Sequence, residues 1–130
     1  MIRWAAAYAA TLVVFTAIDL AWITLVMAGL FRRHLGDLLL DRPRLGAAAA
    51  FYLVYIAGIL VLAVAQSQSW KQALAMGAAL GVVAYATYDL TNRATLKAWP
   101  LDVAVLDIAW GGFMTACAAL VGFLVLQALR

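Results

Sequence analysis

Two short segments of this sequence carry an aspartate and a tryptophan at the same spacing. IDLAW (18–22) pairs Asp19 with Trp22, and LDIAW (106–110) pairs Asp107 with Trp110. Residues three apart share a helix face, so each tryptophan is predicted to stack on the aspartate of its own helix. A carboxylate beside an aromatic ring can hold a cation or a proton. For the two tryptophans, core packing and the lining of a ligand cavity are both open interpretations.

A second concentration of polar residues is YDLTNRATLKAWP, at 88–100. Spacings of four and three place Tyr85, Asp89 and Asn92 on one helix face. Two more tyrosines lie at a similar depth in another apolar segment, and Lys97 would sit at the mouth of a pocket. The predicted ligand-binding residues are therefore Asp19, Trp22, Tyr52, Tyr55, Tyr85, Tyr88, Asp89, Asn92, Lys97, Asp107 and Trp110.

The elements that must position these residues are transmembrane helices. The chain is 68% hydrophobic and only 12% charged, and all six of its acids are aspartates. Soluble domains have about a quarter of their residues charged, so lipid is the simplest solvent for this surface. Four segments reach the roughly 20 apolar residues that a spanning helix needs. They lie at about 4–30, 45–66, 72–91 and 101–129 of one domain, 1–130.

The predicted fold is an all-α integral membrane protein, an antiparallel four-helix transmembrane bundle. The segment FRRHLGDLLLDRPR (31–44) forms either a short interfacial helix or a solvated loop between the first two spans. Small residues predict where helices meet, with Gly77 and Gly81 on the third span and a stripe at Gly111, Thr115, Ala118 and Gly122 on the fourth. Such stripes serve packing within the bundle or homodimerisation.

Carboxylates are costly in hydrocarbon, at about 2.5–3.5 kcal/mol or more each. Asp19 and Asp107 should therefore face the bundle interior, where they must be paired, hydrogen-bonded or protonated. We expect the buried ionisable groups to converge in a single pocket near the inner leaflet. Trp4, Trp70 and Trp99 fall at the predicted interfaces, where an aromatic belt explains them.

The basic residues predict the direction of insertion. One side of the membrane carries Arg3, Lys71 and Arg130, and the other carries six basic residues, namely Arg32, Arg33, Arg42, Arg44, Arg93 and Lys97. Because basic loops stay in the cytoplasm, both termini are predicted to lie outside it. The net charge of +3 suits membrane lipids rather than nucleic acid.

Cysteine and histidine usage restricts the chemistry further. The single cysteine cannot form an internal disulfide, and the single histidine excludes bis-histidine haem ligation and a histidine-rich metal site built from this chain alone. We predict no metal and no cofactor.

Several motifs together resemble a known family. FYLVY (51–55), YDLTNRATLKAWP, DIAWG (107–111), the Asp19–Trp22 pair and FRRHLG resemble the small four-span bacterial inner-membrane proteins of domain of unknown function 2177, over essentially the whole chain. The resemblance implies the four-span fold and an inner-membrane location, and no particular reaction. The matching motif positions are Asp19, Trp22, Tyr88, Asp89, Thr91, Asn92, Thr95, Lys97, Trp99, Pro100, Asp107, Trp110 and Gly111. Arg93 stands where an apolar residue is expected.

Three functions are compatible with these features. The first is binding or transport of a lipid-like or small amphiphilic or cationic ligand in a cytoplasm-facing intramembrane pocket, with a homodimer expected for transport. The second is an accessory or structural subunit that needs a partner membrane protein. The third is an enzyme that modifies a lipid or isoprenoid through paired aspartates, although no standard catalytic signature is present. Whether the protein is an enzyme is left open.

Overall fold

The computed structural model describes residues 1–130 and consists of four long helices joined by short loops. The helices are α1 (Ile2–Leu38), α2 (Leu45–Val64), α3 (Trp70–Thr95) and α4 (Leu101–Ala128). Each is long and apolar enough to cross a membrane, and the chain contains no strand. The predicted all-α four-helix membrane bundle is confirmed, and the protein is a multi-pass membrane protein.

Local side-chain chemistry sets where the helices begin. At the start of α3, the Ser69 side-chain oxygen accepts a hydrogen bond from the Gln72 backbone N–H at 3.3 Å. The Gln72 side chain in turn accepts from the Gln68 backbone N–H at 2.9 Å. This exchange satisfies donors that a helix start leaves free. Helix α4 begins directly after Pro100, which cannot contribute a backbone N–H.

Helix α1 is longer than the predicted first span. Its residues Arg32–Leu35 continue the helix, so this part of FRRHLGDLLLDRPR is helical but is not separated from α1. The helix widens into a π-helical turn at Ile23–Met27. There the Thr24 hydroxyl donates to the Leu20 carbonyl at 2.8 Å, a bond that often bends helices. Single π-helical turns are frequent at functional sites.

Helices α3 and α4 pack most closely, and the predicted small residues form their contact. A Cβ added at Gly77 would lie only 2.7 Å from the Ala119 Cβ and from the Thr115 carbonyl oxygen. A Cβ at Gly81 would lie 2.7 Å from the Thr115 Cβ and would also overlap the Gly111 carbonyl. The two backbones can approach this closely only because glycine has no side chain. The stripe therefore serves packing within the bundle.

The bundle is tightly packed at one end and open at the other. In the packed half, the helices enclose a continuous core that includes Phe15, Ile56, Ile59 and Met114, all fully buried. At the opposite end, residues 45–51 of α2 are all exposed. The close contacts of α2 with α3 and α4 come instead from its π-helical turn, Ile59–Val64. Because α2 diverges in this way, a gap forms between the helices in the open half.

Candidate functional site

The gap contains a cavity of about 460 Å³, within the 300–1,000 Å³ typical of small-molecule sites. Its lining residues are hydrophobic or aromatic except for two aspartates. The lining residues are Asp19, Trp22, Ile23, Met27, Phe31, Phe51, Tyr55, Ala84, Tyr85, Tyr88 and Asp107. Phe51 and Tyr88, which line the cavity from α2 and α3, are 45% and 52% exposed. The cavity is therefore open at its side, and a ligand could enter between the helices.

Asp19 is held by two donors from two other helices. Its Oδ2 accepts from the Tyr52 hydroxyl at 2.8 Å, and its Oδ1 accepts from the Trp110 indole N–H at 3.3 Å. The side chain is 4% exposed. Hydrogen bonds to an ionised carboxylate are stronger than neutral ones, so these donors suit a charged Asp19.

The two aspartate–tryptophan pairs interact across helices. Trp22 and Trp110 stack with ring centroids 4.3 Å apart and an interplanar angle of 6°. The Trp110 indole N–H donates to Asp19 of α1. Trp22 lies beside Asp107 of α4, but its indole N–H does not form a hydrogen bond of good geometry. These contacts run between helices and add to the predicted pairing of each tryptophan with the aspartate of its own helix. Since α1 and α4 are antiparallel, equal spacings align the aspartate of one with the tryptophan of the other.

Asp107 has a second buried carboxyl group beside it. Asp89 of α3 is fully buried, and its carboxyl lies within hydrogen-bonding range of the Asp107 carboxyl. Asp89 Oδ1 accepts from the Trp99 indole N–H at 3.1 Å, whereas Oδ2 has no donor. Asp89 does not line the cavity and lies behind Asp107.

The sequence interpretation of Trp99 was wrong. Trp4 and Trp70 are 38% and 50% exposed, in keeping with an interfacial position, but Trp99 is only 7% exposed. The loop that carries it folds back onto the bundle, where its ring packs against Phe31 and Tyr88. The Arg93 guanidinium donates to the Trp99 carbonyl at 2.9 Å and so fixes this loop.

Three tyrosines also line the cavity, namely Tyr55, Tyr85 and Tyr88. The Tyr55 hydroxyl shares a hydrogen bond of 2.7 Å with the Thr115 hydroxyl. The Tyr85 ring lies directly over Gly111, where any Cβ would overlap it. Tyr55 also contacts the Tyr85 ring edge-on, with centroids 6.2 Å apart. These contacts fix the Tyr55 and Tyr85 rings in the wall of the cavity.

The structure distributes the eleven predicted residues over three locations. Six line the cavity, namely Asp19, Trp22, Tyr55, Tyr85, Tyr88 and Asp107. Three lie behind the wall and position the acids, namely Tyr52, Asp89 and Trp110. Asn92 and Lys97 do not line the cavity, and Lys97 is exposed.

Sequence reasoning missed several residues of the site. Ile23, Met27, Phe31, Phe51 and Ala84 line the cavity, but their types are those of any apolar helix. No sequence signal distinguishes them. Trp99, in contrast, follows Asp89 within the polar block YDLTNRATLKAWP, and this proximity is the signal that could have revealed it.

The arrangement suits a cation with an apolar body. The charged residues that line the cavity are both acids, Asp19 and Asp107, and no basic side chain lines it. Aromatic faces attract cations, and carboxylates supply the counter-charge. No cluster of three His, Cys, Asp or Glu side chains with the geometry of a metal site is present.

Comparison with known proteins identifies one family. The family model described as "Predicted membrane protein (DUF2177)" matches residues 4–124 of the chain. No curated protein and no solved structure matches it.

Proposed function

The chain belongs to this family of predicted membrane proteins, and from that premise we propose that it binds a small amphiphilic cation within the membrane. The observation that carries the proposal is the presence of two buried carboxyl groups, Asp19 and Asp107, in one otherwise apolar cavity. A ligand with an apolar body and an ammonium group would satisfy both the acids and the aromatic wall.

The buried carboxyl groups of the cavity favour a cation over a neutral ligand. Buried charges in proteins are normally paired, because an unpaired ion in a medium of low dielectric constant costs several kcal/mol. Asp19 has two neutral hydrogen-bond donors but no positive partner among them. A bound ammonium group near Asp19 and Asp107 would supply the missing countercharge, and the stacked Trp22 would contribute a π face.

The side opening supports entry from the bilayer. Phe51 and Tyr88 are the most exposed of the residues that line the cavity, and both are aromatic. An amphiphile that already lies in the headgroup layer would reach the acids between α2 and α3 without crossing the bundle.

A charge-sign comparison tests this function. Benzyltrimethylammonium and phenylmethanesulfonate have similar apolar bodies and opposite charges. We expect the purified protein to bind the cation at least about tenfold more tightly than the anion in isothermal titration calorimetry, since cation–π and carboxylate contacts both favour it. Equal affinities, or a cation that does not bind, would contradict the proposal.

We also propose that the protein lies in the bacterial inner membrane with both termini outside the cytoplasm, which places the cavity in the cytoplasmic half. The basic residues at the open end of the bundle support this orientation. In a Cys117→Ala background, a membrane-impermeant maleimide should label Gln68→Cys in intact cells and Asp41→Cys only after lysis. Labelling in the reverse order would show the opposite orientation.

A further inference from the structure

A hydrogen bond between the Asp89 and Asp107 carboxyl groups needs a donor hydrogen, and neither a backbone N–H nor the Trp99 indole donates to Asp89 Oδ2. A carboxylate only accepts hydrogen bonds, so two facing carboxyl groups can bond to each other only if one of them is protonated. Asp89 is fully buried, and its Oδ2 has no donor other than one that Asp107 could provide.

No hydrogen bond or ion pair joins a basic side chain to either acid; Arg93, one helical turn after Asp89 on α3, donates to the Trp99 carbonyl instead. From α1, Asp19 and Trp22 face Asp107. From α3, Tyr85 and Tyr88 lie near the Asp107 carboxyl group. Trp99 in the loop between α3 and α4 faces Asp89 and donates one hydrogen bond to it. Two adjacent carboxylates cannot both be charged in such a site, as in other proteins where two acids share one proton.

We propose that Asp89 and Asp107 share one proton in the ligand-free protein, and that this proton is released when a cation occupies the cavity. The inference rests on the proposed function and adds proton exchange to it. The O–H bond of the protonated carboxyl breaks, its electron pair stays on the carboxyl oxygen, and the proton passes to water. The cation then provides the positive charge that the proton provided before.

Each member of the pair has a separate role in this exchange. Asp107 lines the cavity and contacts the cation, whereas Asp89 is enclosed behind it by the Trp99 ring. Asp89 is therefore a positioning residue that holds the proton on Asp107. Because only Asp107 faces the cavity, the proton leaves on the same side as the ligand enters.

The proton count can be measured with the same probe. Benzyltrimethylammonium is titrated into the protein at one pH in phosphate and in Tris, and the slope of the observed enthalpy against the buffer ionisation enthalpy gives the protons released. We expect about one proton per cation for the unmodified protein. For Asp89→Asn we expect almost no proton release at saturating cation. The asparagine amide donates a hydrogen bond to Asp107 and so replaces the shared proton. The Asp41→Asn protein, which is changed at an exposed position, should still release about one proton per cation.

The outcomes separate this inference from the proposed function. Binding of the cation with no buffer dependence would overturn proton exchange and leave cation binding standing. Failure of the unmodified protein to bind the cation would overturn both. If Asp89→Asn does not fold, the infrared spectrum of the unmodified protein decides. A protonated-carboxyl C=O band that disappears at saturating cation supports the exchange, and a band that persists or is absent from the start overturns it.

Discussion

Replacement of Asp19 by asparagine is expected to weaken the binding of benzyltrimethylammonium by about thirtyfold or more. Removal of one partner from a buried, hydrogen-bonded charge pair costs about 2 kcal/mol or more, and each 1.4 kcal/mol is a factor of ten in affinity. Asp19 is the acid whose two donors best support a negative charge, so its neutralisation should remove the largest share of the attraction.

The substitution is informative because it should leave the fold intact. The amide oxygen of Asp19→Asn can accept from the Trp110 N–H, and its NH₂ group can donate to the Tyr52 hydroxyl oxygen. Asp41→Asn makes the same chemical change at an exposed position outside the cavity and should bind like the unmodified protein. If Asp19→Asn folds and binds the cation with undiminished affinity, Asp19 is not part of the binding site.

The substitution Gly81→Ala should destabilise the protein strongly, because it places a methyl group at the contact between two backbones. The added Cβ would overlap the Gly111 carbonyl and lie 2.7 Å from the Thr115 side chain, so the backbones of α3 and α4 must separate. Overpacking typically costs 1–3 kcal/mol, and displacement of backbone places this case at the upper end, at about 3 kcal/mol. Unfolding of the purified protein by titration with sodium dodecyl sulfate measures the change.

Gly29→Ala is the matched control for this change. It adds the same methyl group in the interior of a helix, where a Cβ would meet nothing within 4 Å. We expect the control to be neutral or to stabilise α1 by up to about 1 kcal/mol, because alanine favours helix over glycine. A Gly81→Ala protein that resists the detergent as well as the unmodified one would show that α3 and α4 do not pack as described.

The helices and the location of the acids follow from the sequence because both are consequences of excluding water. Four long apolar runs can satisfy their backbone in lipid only as helices, and the few aspartates within them must then face inward. The small residues on α3 and α4 also marked their contact correctly, since Gly77 and Gly81 meet Thr115 as the stripe requires.

The features that could not be predicted from the sequence are those that depend on how one helix or loop packs against another. The helical period of 3.6 residues determines which residues are neighbours on the same helix. The contacts of Trp22 and Trp110 with the opposite helix depend instead on how far α1 and α4 are shifted along their axes relative to each other. The burial of Trp99 depends on a loop that folds back, and the exposure of Phe51 depends on the divergence of α2. Residue types and spacings within a single segment carry no information on these positions.

The cavity between Asp19 and Asp107 is expected to hold the cation. A crystal structure with 4-bromobenzyltrimethylammonium tests it most directly, because the anomalous signal of bromine locates the ligand without reference to the protein. We expect a bromine peak within the cavity, between Trp22 and Tyr88, with the ammonium group directed at the two acids. A bound probe whose bromine lies elsewhere on the bundle, with the cavity unoccupied by it, would contradict the account.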